Sequence, residues 1–406
     1  MHIKGKRILL GVSGGIAAYK SAFLLRELMK RGALVKVAMT SAAQKFVTPL
    51  TFQTLSGEEV ITDTFQETVG YVLHVAMAEW ADLVAVVPAT ANIIGKLANG
   101  IADDFLTTLA LATRAKLLVC PAMNSNMLLH PAVQKNLNAL IALGYSILPS
   151  GTGDLACKTE GPGRLAEVED ILAEIEHLLS PKDFQGIRFL ISASRTEEYL
   201  DPVRCLTNRS SGRMGFAVAK AALRRGGEVC LVTGPSEEAD IKGVRTIRVV
   251  SAREMREAML AEYEASQVVI KTAAVSDFRP AREPKAQKIK REATEPEIRL
   301  TENPDILREL GQKKTHQCLV GFAAESEALL MHANRKMKNK NLDFIVANDI
   351  TQDGCGFRCS TNKVKIIHRD GRVDDIPFLE KIETAHMVLD RVRTWILERD
   401  ASGMNP

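Results

Sequence analysis

A single thiol, Cys157, stands ahead of a glycine-rich turn, Thr159-Glu160-Gly161-Pro162-Gly163, that ends in Arg164. Glycine lets a backbone pass closely over a bound molecule, because no Cβ intervenes. Arginine offers phosphate or carboxylate a planar fork of donors, and a thiol beside it can pass a proton. Upstream lies Pro121-Ala122-Met123-Asn124, and further up His74. A neutral amide at Asn124 can hold a carboxylate without a fixed charge. An imidazole handles protons near neutrality. Cys157, Asn124 and His74 are expected to form one active site. The plainer alternatives are a satisfied core histidine in an apolar stretch and a turn asparagine.

Elements must position these groups. Arg7 to Val12 reads as a buried strand and Ala17 to Arg31 as a helix closed by Gly32. Further strands are expected at 35–39, 83–87, 117–120 and 146–148, with a helix over 167–179. Such alternation predicts an α/β fold: a flavodoxin-like or Rossmann-like parallel sheet, covered on both faces. Ser180-Pro181-Lys182-Asp183 breaks the pattern and sets a boundary near 181–186, so domains of 1–180 and 186–406 are expected. The second half repeats the logic, with strands near 187–191, 229–232, 268–270, 319–322 and 342–346. It adds helices at 214–225 and 254–265, a late hairpin around Gly371 and a closing helix at 380–399. This is a second Rossmann-like α/β domain. Residues 279–302 carry Pro280, Pro284 and Pro296 among charges, and read as an irregular loop with a short strand at 298–300.

The bulk numbers exclude several classes. The chain has 406 residues and a net charge of +4, too small to argue for nucleic acid. No window approaches the roughly 20 apolar residues of a membrane span, and no signal-peptide run opens the chain, so a cytoplasmic protein is expected. Seven scattered cysteines do not make a disulfide framework. Cys355 and Cys359 lack a second ligand pair for structural zinc.

Gly11-Val12-Ser13-Gly14-Gly15 joins the first strand to the first helix. Free N–H groups at a helix start favour an anion, so this reads as a phosphate cradle. It lacks both the Gly-x-Gly-x-x-Gly pattern and the Walker ending, which argues against a dinucleotide dehydrogenase. Thr40 and Pro88-Ala89-Thr90 fall at strand ends, where ligands sit in open α/β sheets. Residues 11–20, Pro88-Ala89-Thr90-Ala91-Asn92, Pro121 to Asn124 and the Cys157 segment together resemble the flavin-dependent cysteine decarboxylases. Phosphopantothenoylcysteine decarboxylase is the nearest type. The resemblance implies FMN held by Ser13, Gly14, Gly15, Thr40, Pro88, Ala89 and Thr90. It implies oxidation of the carbon next to sulfur, loss of CO2 and re-reduction. Cys157 would be the acid on a closing lid, Asn124 the grip on the carboxylate, and His74 a partner in the early oxidation. Some relatives are regulatory FMN-binding subunits, or act on peptidyl cysteines; the presence of all three residues favours catalysis.

In the second half, Asp201-Pro202-Val203-Arg204 and Asn208 to Gly215 precede a helix and suggest anion capture. Ala273 to Phe278, Lys288-Ile289-Lys290, Asn303-Pro304-Asp305-Ile306 and Gly321 to Glu325 follow, with Lys336 and Lys340. Converging cations would suit a triphosphate, with carboxylates left for Mg²⁺. These motifs resemble phosphopantothenate–cysteine ligase. The chain as a whole is similar to the bacterial bifunctional enzymes that fuse ligase and decarboxylase in coenzyme A synthesis. The resemblance implies CTP held by Asp277, Lys288, Asn303, Pro304, Asp305, Ile306, Phe322, Lys336 and Lys340. Arg204 and Asn208 would serve the phosphopantothenate carboxylate and its acyl-cytidylate. It also implies homo-oligomers: decarboxylase trimers and ligase dimers, which can close into a dodecamer. One departure stands out: Ser194 and Arg195 occupy a stretch where such ligases have glycine and a smaller residue.

Overall fold

All seven residues of the strand Leu83–Ala89 are buried, as the near-continuous apolar run requires for a strand covered on both faces. The computed structural model describes residues 3–65, 72–154, 160–289, 298–325, 329–349, 359 and 361–401. Cys157, Lys290 and Cys355 lie outside the described residues. The chain divides into two compact units, Met1–Ser180 and Pro181–Pro406.

Unit 1 contains β1 (Arg7–Val12), β2 (Leu34–Met39), β3 (Leu83–Ala89), β4 (Lys116–Pro121), β5 (Ser146–Ile147), β6 (Gly151–Asp154) and β7 (Glu160–Arg164). Its α-helices are α1 (Ala18–Lys30), α2 (Pro49–Ser56), α3 (Leu73–Trp80), α4 (Ala91–Ala98), α5 (Phe105–Ala112), α6 (Ser125–Leu129), α7 (Pro131–Ala142) and α8 (Val168–Leu179). The sheet order is β2-β1-β3-β4-β5, and every pair in it is parallel. This is the flavodoxin-like order, with its switch point between β1 and β3. Thr90 caps α4 through its side chain, and Asp104 and Thr107 form a capping box on α5. Apart from the sheet, β6 and β7 pair as an antiparallel hairpin.

Unit 2 contains β8 (Arg188–Ala193), β9 (Glu197–Tyr199), β10 (Cys205–Thr207), β11 (Glu228–Thr233), β12 (Arg245–Arg248), β13 (Val268–Lys271), β14 (Phe278–Pro280) and β15 (Leu300–Glu302). It continues with β16 (Cys318–Glu325), β17 (Phe344–Asp349), β18 (Thr361–His368) and β19 (Val373–Glu380). Its helices are α9 (Arg213–Arg224), α10 (Ala252–Tyr263), α11 (Ile306–Gln312), α12 (Leu329–Asn339) and α13 (Lys381–Ala401). The order β12-β11-β8-β13-β16-β17-β18-β19 puts a switch point between β8 and β13. The late hairpin adds antiparallel strands at one edge. Where one short strand at 298–300 is expected, two strands pair, β14 and β15, the second running Leu300–Glu302. Strand β14 starts at Phe278, before the prolines that make the segment look irregular. Among the described residues, no helix is long and apolar enough to cross a membrane.

Candidate functional site

In unit 1 a cavity of about 940 Å³ opens where the carboxyl ends of β1 and β3 diverge. That volume is at the upper end of the roughly 300–1,000 Å³ of small-molecule sites. Its lining includes Ser13, Gly14, Gly15, Thr40, Thr90 and Asn124, so six of the expected residues meet on one surface. The helices α1 and α4 both begin there, and a helix start presents free N–H groups to an anion.

The three glycines do different work. A Cβ on Gly11 would stand 2.5 Å from Leu106 Cδ1, and one on Gly14 would stand 2.4 Å from the Ala42 Cβ. Both absences are used by the chain's own packing. A Cβ on Gly15 would meet only Thr90 Cγ2, at 3.4 Å, so Gly15 is the glycine that leaves backbone open to the cavity. Ser13 is buried; its Oγ donates to Pro88 O at 2.8 Å and accepts from Thr90 N at 3.1 Å. It locks the β1 turn to the β3 turn. Pro88 and Ala89 are themselves buried and absent from the lining. They shape the wall from behind, against the expectation of direct contact.

Asn124 caps α6 by accepting from Asn126 N at 2.9 Å. The foot of the β6–β7 hairpin sits on the same segment. Met123 N donates to Gly163 O at 3.0 Å and Ser125 Oγ to Pro162 O at 2.7 Å. A Cβ on Gly163 would strike Met123 O at 2.2 Å. Cys157 falls between β6 and β7, outside the described residues. His74 is not brought to the cavity within one chain. It opens α3, whose Leu73, Met77 and Ala78 pack into the core beside α5, and its Nδ1 is buried without a hydrogen-bond partner. Arg164, expected as an anion donor, lines the cavity, and so do Tyr19, Lys20, Lys96 and Asp104, for which no role is expected from sequence. Tyr19 and Lys20 sit within the 11–20 motif, whereas Lys96 and Asp104 carry no sequence signal.

In unit 2, Asn208 Nδ2 donates to Ala274 O at 3.0 Å and Val275 O at 3.2 Å, fixing it to the turn after β13. Asp201 accepts from Val203 N, Arg204 N and Ile289 N at 2.8, 2.9 and 3.1 Å. Burial pushes the Asp201 carboxyl up, but these donors and the Arg204 charge bring it below its ordinary value. Arg204 and Lys288 are exposed and are carried on the two segments that Asp201 joins. Asn303 Nδ2 donates to Ser276 O at 2.9 Å, and Asn303 N to Asp277 O at 2.8 Å. Asp305 caps α11 through Arg308 N and pairs with Lys340 at 2.9 Å. Ile306 is buried in the core, so its side chain is not a ligand contact.

A second crevice of about 140 Å³ is lined by Ser210, Gly212, Thr272, Phe322, Asn362 and Lys381, among others. Lys271, which no sequence motif singles out, ends β13 near Asp277, Asp305, Lys336 and Lys340. Burial, then repulsion from Lys340, pushes its ammonium down to about 8, against Asp305 and Asp277, with Lys336 adding to the repulsion. Ser194 adopts φ 70°, the left-handed region that glycine enters freely. Arg195 does not block the crevice: its guanidinium donates to Ser210 O at 3.0 Å and pairs with Glu197 at 3.3 Å.

A flavodoxin-like sheet with an anion-ready cavity, joined to a second nucleotide-type α/β unit, defines a two-domain flavoprotein class. Residues 1–180 match the family model described as Flavoprotein, and residues 184–396 match the DNA/pantothenate metabolism flavoprotein C-terminal domain. The coenzyme A biosynthesis bifunctional protein CoaBC of Bacillus subtilis is 46% identical over 395 residues, covering 96% of this chain and 97% of that protein. Its counterpart in Vibrio cholerae serotype O1 is 43% identical over 394 residues, covering 95% of this chain and 98% of that one. A crystal structure of the FMN-dependent cysteine decarboxylase SpaF is 31% identical, covering 44% of this chain and 97% of that chain, with a TM-score of 0.40. The chain belongs to the family of coenzyme A biosynthesis bifunctional proteins: it is a bifunctional enzyme, a flavoprotein decarboxylase fused to a ligase.

Proposed function

We propose that the chain performs two consecutive steps of coenzyme A synthesis: ligation of cysteine to 4′-phosphopantothenate in unit 2, then decarboxylation of the product to 4′-phosphopantetheine in unit 1. The observation that carries the reading is the meeting of Gly15, Thr90 and Asn124 on one cavity at the β1/β3 switch point.

The residues there fit FMN. Gly15 leaves backbone open, two helix starts face the cavity, and Ser13, Thr40 and Thr90 shape the wall. When bound, the flavin supplies a reversible two-electron oxidation next to the cysteine sulfur, without which the carboxylate has no electron sink. The chain's own groups do the rest. Asn124 holds the departing carboxylate through a neutral amide. Cys157 returns the proton to carbon after CO2 leaves. His74 serves the early proton removal. Its orphaned Nδ1 supports a role that a second copy or the substrate completes, in keeping with a trimeric decarboxylase, a dimeric ligase and a dodecamer of both.

In unit 2 the pantothenate carboxylate attacks the α-phosphorus of CTP and expels pyrophosphate. Cysteine's amine then displaces CMP from the acyl-cytidylate. Lys288, Lys336 and Lys340 stabilise charge on the transferring and leaving phosphates. Asn208 and Arg204 position the acyl group. Phe322, Asp277 and the turn from Asn303 flank the nucleotide; Mg²⁺ would offset the charge of its phosphates, and Asp277 would be the carboxylate left for it. The absence of a spanning helix among the described residues is compatible with a cytoplasmic site of action.

The test supplies phosphopantothenate, cysteine, Mg²⁺ and either CTP or ATP, with products followed by mass. Asn124→Asp should keep the yellow flavin absorbance and lose CO2 release. Lys288→Gln should block amide formation alone. Wild-type rates of both reactions in both variants would sink the assignment.

A further inference from the structure

We propose that Arg164 is the receptor for the substrate's own phosphate in unit 1, and so the residue that makes the decarboxylase prefer a phosphorylated acyl-cysteine. This rests on the decarboxylase reading above. A phosphorylated substrate beside FMN brings a second dianion into one cavity, and a second dianion needs its own cation.

Among the described lining residues the cations are Lys20, Lys96 and Arg164. Lys96 lies 2.7 Å from Asp103 and 3.3 Å from Asp104, so that cluster is net negative and repels phosphate. Lys20 and Arg164 share a single carboxylate, Glu167, at 3.2 and 3.1 Å, which leaves this cluster net positive. The two cations stand differently. Lys20 lies in the first turn of α1, next to the glycine turn, with its side chain 14% exposed. It therefore belongs to the flavin phosphate. Arg164 ends β7 and its side chain is 45% exposed, open to an arriving ligand. Its guanidinium runs beside Gly153 on β6, where a Cβ would come within 3.6 Å of Nη1. A planar fork on a hairpin foot, partnered by an exposed carboxylate that phosphate can displace, is suited to bidentate capture.

The experiment uses the full chain loaded with FMN and two substrates, 4′-phosphopantothenoylcysteine and its unphosphorylated counterpart. The wild type should favour the phosphorylated form in kcat/KM. Arg164→Gln should cut that preference about 10- to 100-fold, through KM rather than kcat. Arg164→Lys should retain part of it. Glu167→Gln, which frees the cation, should lower KM for the phosphorylated form. Calorimetry with 4′-phosphopantetheine and pantetheine should show the same loss of discrimination in Arg164→Gln. Flavin absorbance reports that each variant is folded. An undiminished preference in Arg164→Gln, or an unchanged KM in Glu167→Gln, overturns the role of Arg164 alone. A wild type that releases CO2 from neither substrate overturns the decarboxylase reading beneath it.

Discussion

Asp201 accepts the backbone N–H of Ile289 at 3.1 Å, which fastens the turn carrying Arg204 to the loop carrying Lys288. Its other oxygen takes Val203 N and Arg204 N. Asp201→Asn must turn an NH2 toward one of these donors. Leaving such a group unsatisfied costs about 1–3 kcal/mol. Amide formation, followed by mass, should fall about tenfold or more, while CO2 release from preformed substrate, a reaction of unit 1, holds. Equal ligation by Asp201→Asn and wild type would remove the coupling.

Gly14 and Gly15 should part company on substitution. Gly14→Ala places a Cβ 2.4 Å from Ala42 and should destabilise unit 1 by about 1–3 kcal/mol in urea unfolding. Gly15→Ala has room, 3.4 Å from Thr90, and should fold normally yet bind FMN about tenfold more weakly. Equal unfolding midpoints for the two variants would contradict this division of labour.

The Lys271 ammonium, pushed down to about 8 chiefly by burial and Lys340, carries a stability signature. An unfolded lysine titrates near 10.4. Between about pH 8 and 10.4 the unfolded chain binds more protons, so this group makes stability rise with pH there; below about 8 its full cost is present. Lys271→Met should therefore raise Tm most at pH 7, with the advantage shrinking toward pH 10.4. A Tm gap that does not change with pH would refute the depressed value.

Ser194 holds φ 70° while its Oγ donates to Pro235 O. Ser194→Ala keeps the backbone strain and loses the bond, so it should cost about 1 kcal/mol. Ser194→Gly loses the bond but relieves a left-handed cost of about 1–2 kcal/mol, so it should match the wild type or exceed it. Denaturant melts rank the three; a glycine variant less stable than the alanine one would mean the strain is absent.

Much of this was legible in the sequence because it depends on local pattern. β1 through β5 are short apolar runs, and a buried parallel sheet demands such runs. Gly14, Gly15 and Thr90 follow strand ends, and strand ends in these sheets are where ligands bind. Residues set by tertiary packing were not legible. Ile306 reads as one more member of a turn motif, yet helix α11 turns it into the core. Pro88 and Ala89 lie next to Thr90 in sequence but are buried, because they still belong to β3, which is covered on both faces. Lys96 and Asp104 meet only because α4 and α5 fold back on each other.

The wall beneath the flavin cavity is held by bonds the chain makes to itself: Ser13 Oγ to Pro88 O, Ser21 Oγ to Val87 O at 2.6 Å, and Thr40 N to Val12 O at 3.1 Å. None of them waits for a ligand. Because these bonds join the wall to itself, a cofactor seated there need not supply the contacts that order it. Stripping and reloading the yellow colour should be a reversible titration rather than a refolding experiment.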